Sequence, residues 1–168
     1  MLDLLTAKRA AALLLLAATT ATAWATEPLP DRIWYQGRAG TVYQVGKGGL
    51  ALPPSEPLRA LVRAQSCSAM GGPRGVYKVV HGRLWLAGLY TCSAAIGLRD
   101  VYPDMLTPPV AQWVSGVLVA QVGKFVCMSA QGRPMHEFDV QLTVEKGAVK
   151  ATAEKAANVA QCARAPAG

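Results

Sequence analysis

Acid–base and nucleophilic chemistry near neutral pH calls for a histidine, or a perturbed carboxylate, beside the reacting group. The sequence holds two histidines, His81 and His136. His81 precedes Gly82 between two apolar runs, a tight-turn position where a side chain meets water. His136 stands before Glu137 and Asp139, but a strand sends Glu137 to the face opposite His136, so direct contact is not expected. Among the carboxylates, only Asp100 with Asp104 and Glu137 with Asp139 are close enough in sequence to form a glycosidase-like pair. Each reads more simply as loop or strand-face solvation. Trp113-Val114-Ser115-Gly116 lacks the first glycine of a nucleophile elbow. Gly46-Lys47-Gly48-Gly49 resembles a phosphate loop in composition only, without the Gly-Lys-Ser/Thr ending. No catalytic residue, metal or cofactor is expected, and the first expectation is a protein that is not an enzyme.

The aromatic residues carry more. Trp34 and Tyr35 are adjacent in a strand-like run, so they must point to opposite faces and one of them is candidate exposed surface. Arg32, Arg38 and Arg83 lie near Trp34, Tyr35 and Trp85, the composition of an interface hot spot. Trp34, Tyr35, Arg38, Arg83 and Trp85 are therefore the candidate partner-binding residues.

These residues need a compartment and a scaffold. Lys8 and Arg9, the apolar run from Ala10 to Ala18 and the small residues of Ala23-Trp24-Ala25 read as a secretory signal peptide over residues 1–25. The apolar run is far short of the roughly 20 residues that span a bilayer, and no later stretch is longer. Residues 26–168 are expected to form a single β-rich domain without a transmembrane segment, in the periplasm or secreted. Cys67, Cys92, Cys127 and Cys162 all follow the leader, and their even number in an oxidising compartment implies two disulfides. Sequence permits three pairings. Cys67 with Cys92 and Cys127 with Cys162 is preferred, because Cys67 and Cys92 lie on the two arms of a hairpin. Beyond the leader 15 basic and 9 acidic residues remain, a net charge of +6. The charges are scattered rather than run together with aromatics, so nucleic acid is not expected; an acidic protein partner or the envelope surface suits them better.

Strand signals fill the domain. Arg32–Gln36 and Thr41–Val45 are rich in β-formers, while Leu58–Ala64 supports either a short helix or a strand. Val76–Val80 and Arg83–Ala87 flank His81-Gly82, a two-residue hairpin signal. A second hairpin is expected from 112–119 and 124–128 across 120–123. Asp139–Glu145 alternates, with Val140, Leu142 and Val144 on one face, and Lys146-Gly147 turns the chain. Ala148–Cys162 is read as a short C-terminal helix, with a strand at 148–150 as the rival. Thr26–Asp31 and Ala163–Gly168 read as loose ends. The expected fold is mainly β, an antiparallel sandwich or partly open barrel with a short C-terminal helix.

Three segments together carry a likeness. They are Arg74-Gly75-Val76-Tyr77 with Gly82-Arg83-Leu84-Trp85-Leu86; Val101-Tyr102-Pro103 with Ala111-Gln112-Trp113-Val114-Ser115-Gly116-Val117-Leu118; and Glu145-Lys146-Gly147. Over about residues 68–150 the chain resembles a family of small uncharacterised proteins of Gram-negative bacteria, whose pattern is R-G-Y, G-R-L-Y-L, A-x-W-x-S-G-x-L and E-K-G. The resemblance implies no catalytic residues. The leader, the cysteines and Gly72-Pro73 depart from the pattern. The ranked expectations are a periplasmic inhibitor or immunity-type partner of an enzyme or toxin, then an accessory envelope protein binding anionic membrane or glycan, then an unrecognised hydrolase.

Overall fold

The computed structural model describes residues 29–64, 72–106 and 108–163. The leader, Cys67 and Thr107 lie outside the described residues. The elements are β1 (Asp31–Tyr35), β2 (Arg38–Gln44), α1 (Glu56–Ala64), β3 (Arg74–Val80), β4 (Arg83–Tyr90), β5 (Ala95–Ile96), α2 (Leu98–Val101), β6 (Gly116–Met128), β7 (Pro134–Glu145), β8 (Ala148–Ala156) and a 3₁₀ turn at Val159–Gln161. Three hairpins turn through two residues each, Gln36-Gly37, His81-Gly82 and Lys146-Gly147, and the β6–β7 hairpin through residues 129–133. Both residues of each two-residue turn have positive φ, between 44° and 78°. Such turns match the right-handed twist of the flanking strands. The His81-Gly82 hairpin, the β7 alternation and the Lys146-Gly147 turn are as the sequence predicts. At 56–64 the helix prevails: Ser55 Oγ caps it by accepting from the Leu58 N–H at 3.1 Å, and Glu56 holds Arg59 and Arg63 at 2.8 and 3.1 Å.

Two expectations are corrected. Residues 116–128 form one strand, not two hairpin arms at 112–119 and 124–128 turned across 120–123. Ala120 and Val122 are fully buried and pair with Val140 and Phe138 of β7, so the alternation runs on through the expected turn. Gly123 instead makes a bulge with φ +92°, and Glu137 accepts from the Lys124 N–H there at 3.0 Å. At the C-terminus, Ala148–Ala156 is a strand along β7, and only Val159–Gln161 is helical, as a single 3₁₀ turn. The β7 ladder overrides the helix propensity of its Ala, Lys and Glu residues.

The strands form one mixed sheet in the order β3-β1-β2-β6-β7-β8-β4-β5, and β3 pairs with β4 as well, curling it into a partly closed ring. This is the open-barrel alternative, but not a wholly antiparallel one, since β1 and β3 run parallel. The seam between β8 and β4 is narrow, a single register pair, Arg83↔Ala148. Ile33, Tyr77, Leu84, Leu86, Leu118, Leu142 and Val140 are fully buried inside the ring. One end is plugged by α2 and its neighbours, where Tyr102 Oη donates to Pro53 O and Trp113 Nε1 to Ala51 O, both at 2.9 Å. The Cys127–Cys162 bridge is formed. It is the one described bridge of the two expected, and no described cysteine is free.

Asp31, expected in a loose end, is 1% exposed. Its Oδ1 accepts from the Gly75 N–H at 2.7 Å and its Oδ2 from the Leu50 N–H at 2.6 Å. Burial pushes its pKa above the ordinary 3.8, against the opposing pull of those two bonds and of Arg74. Because the folded value is raised, the folded state holds the Asp31 proton more tightly than the unfolded chain. That contribution favours the fold below pH 3.8 and is lost as pH rises through the raised value. Asp31→Ala would orphan two buried N–H groups, at about 1–3 kcal/mol each. Against a whole-domain stability of about 5–15 kcal/mol, urea denaturation should show a loss of about 2–6 kcal/mol; a change under 1 kcal/mol would show the bonds to be incidental.

Candidate binding surface

Strand alternation sorts the candidate residues onto two sides of the sheet. In β1, Asp31, Ile33 and Tyr35 are buried and face the ring interior, whereas Arg32 and Trp34 face out. In β3, Gly75 and Tyr77 are buried, so Val76, Lys78 and Val80 lie on the outer face. Leu84 and Leu86 point into the ring, and Arg83 and Trp85 away from it. The register then aligns a row across four strands: Trp85 of β4 opposite Lys78, Lys78 beside Trp34, and Trp34 opposite Ala39 of β2. Trp34 is 47% exposed. Trp85 is half-buried, its Nε1 donating to Val80 O at 3.4 Å and its backbone bridging to Val110. Cross-strand neighbours of this kind lie about 5 Å apart, near enough for one ligand surface to touch both rings and the ammonium between them.

The outward charges of β1, β3 and β4 are all basic, and Glu145 of β7 borders them beside Arg83. Arg32 stacks over the Tyr90 ring at 4.1 Å, and Arg83 is exposed next to the β8 seam. The only acidic residue in β1, β3 and β4 is Asp31, which points inward. Arg32 is itself exposed, and its contact with the Tyr90 ring, worth about 0.5–1 kcal/mol at such a site, leaves the charge facing solvent.

The structure brings Trp34, Trp85 and Arg83 together on the outer face and leaves Tyr35 and Arg38 elsewhere. Tyr35 is 5% exposed within the core. Arg38 reaches across the open end of the ring to Glu154 of β8, with both carboxylate oxygens engaged at 2.9 and 2.7 Å, and lies 4.2 Å above the Phe138 ring. The pair holds β2 to β8. The hydrogen bond from Arg38 lowers the Glu154 pKa below its ordinary 4.5. Lys78 completes the row, yet nothing in its own segment marks it. Its role becomes visible only through the parallel β1–β3 register.

The residues weighed for chemistry stand apart. His81 is exposed in its turn with φ 48°. His136 is half-buried with its ring edge-on to Phe125 at 6.4 Å, and Glu137 is committed to the Lys124 N–H. Asp139 accepts from Gln121 Nε2 at 3.3 Å. Ser115 Oγ accepts from the Lys146 N–H at 2.8 Å. The Gly46–Gly49 loop closes on itself through the Gly48 N–H and Gln44 O at 3.0 Å. Among the described residues no group of three or more His, Cys, Asp or Glu has the placement to hold a metal ion, and no helix is long and apolar enough to cross a membrane.

Two measurements separate the outer face from the interior. Trp34→Ala should leave the urea midpoint nearly unchanged, whereas Tyr35→Ala should cost about 3–5 kcal/mol; equal losses would refute this division. Glu154, whose folded pKa is depressed, stabilises fully above pH 4.5, and that contribution fades as pH falls through the lowered value. The melting temperatures of wild type and Glu154→Gln should therefore differ at neutral pH and converge as the pH falls below 4.5 and through the lowered value. A gap that stays constant as the pH falls would mean that the ion pair does not act through charge.

Neither a family model nor a curated protein nor a solved structure matches this chain.

Proposed function

We propose that the protein is exported to the periplasm and acts there as an inhibitor or immunity-type partner, neutralising an enzyme or toxin by covering part of its surface. The observation that supports this reading is the Trp85–Lys78–Trp34 row: two tryptophans flanking a lysine, on strands β1, β3 and β4, whose outward charges are all basic. Tryptophan and arginine are among the residue types that dominate binding energy in protein interfaces. A rigid sheet adds to this, since its side chains lose little freedom on docking. The single sign of charge favours an acidic partner surface and speeds its approach.

Export fits the same picture. A disulfide is formed, and such bonds persist in oxidising compartments. The segments that resemble the small Gram-negative family fall on β3, β4, the end of α2, the loop into β6 with its start, and the β7–β8 turn. The family likeness thus bears on the scaffold that presents the row.

The test is capture of partners from periplasmic extract on immobilised, oxidised protein, followed by affinity measurement with the recovered partner. Trp34→Ala and Lys78→Glu should each weaken binding about 10–100-fold, equivalent to about 1.4–2.8 kcal/mol. Lys78→Glu should also reduce the salt dependence of the association rate. Stoichiometric addition should silence the partner's activity. Recovery of the same proteins, with equal affinity, by wild type and Trp34→Ala would overturn the assignment of this face.

A further inference from the structure

The far end of the β6–β7 hairpin is a second surface, and it shares no residue with the tryptophan row. Large apolar side chains are exposed there: Phe125, Val126, Met128 and, on the tail after β8, Val159. They are spread over both faces of the hairpin. Phe125 is opposite His136 and meets its ring, whereas Cys127 is opposite Met135, with Sγ 3.8 Å from Sδ. His136 and Met135 are consecutive in β7 and so point to opposite faces. Phe125, 58% exposed, therefore shares one face with Met128, which is opposite Pro134. Cys127 lies on the other face, and its bridge to Cys162 brings Val159, 67% exposed, to that side.

The backbone of this tip is satisfied from within. Ser129 N–H donates to Arg133 O at 2.8 Å, Gly132 N–H to Ser129 O at 2.9 Å and Arg133 N–H to Ser129 Oγ at 3.0 Å, which closes the turn. The edge away from β7 is covered by the tail: Ala163 N–H donates to Met128 O at 2.7 Å and Ala130 N–H to Gln161 O at 3.2 Å. Within the tail, Gln161 N–H donates to Asn158 O, Cys162 N–H to Val159 O and Ala160 N–H to Asn158 Oδ1. Groups bonded in this way can leave water without the cost of orphaned donors and acceptors.

Charge identifies the surroundings that suit the tip. Residues 124–135 and 155–163 contain no Asp or Glu, and Lys124 and Arg133 are exposed. The flanking carboxylates are engaged, Glu137 with the Lys124 N–H and Glu154 with Arg38. A docked protein covers one face of a sheet, whereas lipid surrounds whatever enters it, so apolar side chains on both faces favour lipid. Cations beside such side chains match the headgroup boundary of an anionic bilayer.

We propose that this tip docks the protein on an anionic phospholipid bilayer, with Phe125, Met128 and Val159 at the boundary between headgroups and acyl chains and Lys124 and Arg133 against lipid phosphates. The test is flotation of the oxidised protein with vesicles of phosphatidylcholine, alone or mixed with an equal part of phosphatidylglycerol. Wild type should float with the mixed vesicles and not with phosphatidylcholine alone. Phe125→Ser and Val159→Asp should each weaken binding about tenfold. Lys124→Glu combined with Arg133→Glu should weaken it at least tenfold with every apolar side chain in place. Should Phe125→Ser disturb the fold, Val159→Asp, which lies outside the strand ladder, gives the same reading. Trp34→Ala should bind vesicles as wild type does, so that loss of lipid binding and loss of partner capture are read separately. Wild type that stays unbound, or that binds both kinds of vesicle equally, would overturn the proposal. So would variants that bind as wild type does, or capture of a soluble protein through Phe125 without any lipid binding.

Discussion

The buried carboxylate of Asp31 is the interaction on which the rest of the architecture turns. β1 and β3 are the only parallel neighbours in the sheet, and the chain between them must leave the ring, form α1 and return. No tight turn dictates how β3 should lie against β1. Asp31 does so by accepting from the Gly75 N–H at the start of β3 and from the Leu50 N–H on the outgoing loop. With those ends held together, Arg32 falls beside Val76 and Trp34 beside Lys78. A slip of two residues would set Lys78 against Arg32 and Val80 against Trp34, bringing two cations side by side and taking Lys78 out of register with Trp34. A carboxylate kept partly against its solvation preference thereby specifies the arrangement of a surface on the opposite face of the strand.

Adjacent residues divide the work of β1. Trp34 is available to solvent because Ile33 and Tyr35 occupy the interior, a direct result of the two-residue period of a strand. On β2, Arg38 lies on the inward side, and its guanidinium finds Glu154 and the Phe138 ring. An arginine beside aromatics has the same composition whether it is part of an interface or bracing the mouth of a ring. Only its strand face tells the two apart.

That distinction marks how far the sequence could be read. Hairpins with X-Gly turns and the Val140-Leu142-Val144 alternation were legible, because turn chemistry and period two are local. One of Trp34 and Tyr35 had to face out, by the same logic. The continuous β6 was not legible: Gly123 reads as a turn, but the long-range ladder to β7 makes it a bulge. Nor was β8, where Ala, Lys and Glu favour a helix until a neighbouring strand offers its hydrogen bonds. Asp31 looked like part of a solvated terminus since nothing near it in sequence supplies its partners, which come from positions 19 and 44 residues away. Lys78 escaped notice for the same reason.

The covalent tie between Cys127 and Cys162 spans 35 residues and encloses β7 and β8. Closing a loop of that length removes about 4 kcal/mol of chain entropy from the unfolded ensemble in the entropic model. While the thiols are reduced, the polypeptide lacks that constraint, and its last strands and tail are held by non-covalent contacts alone. Oxidation then acts as a late step of maturation: the last two strands and the tail gain their final rigidity only once these two thiols have met an oxidant.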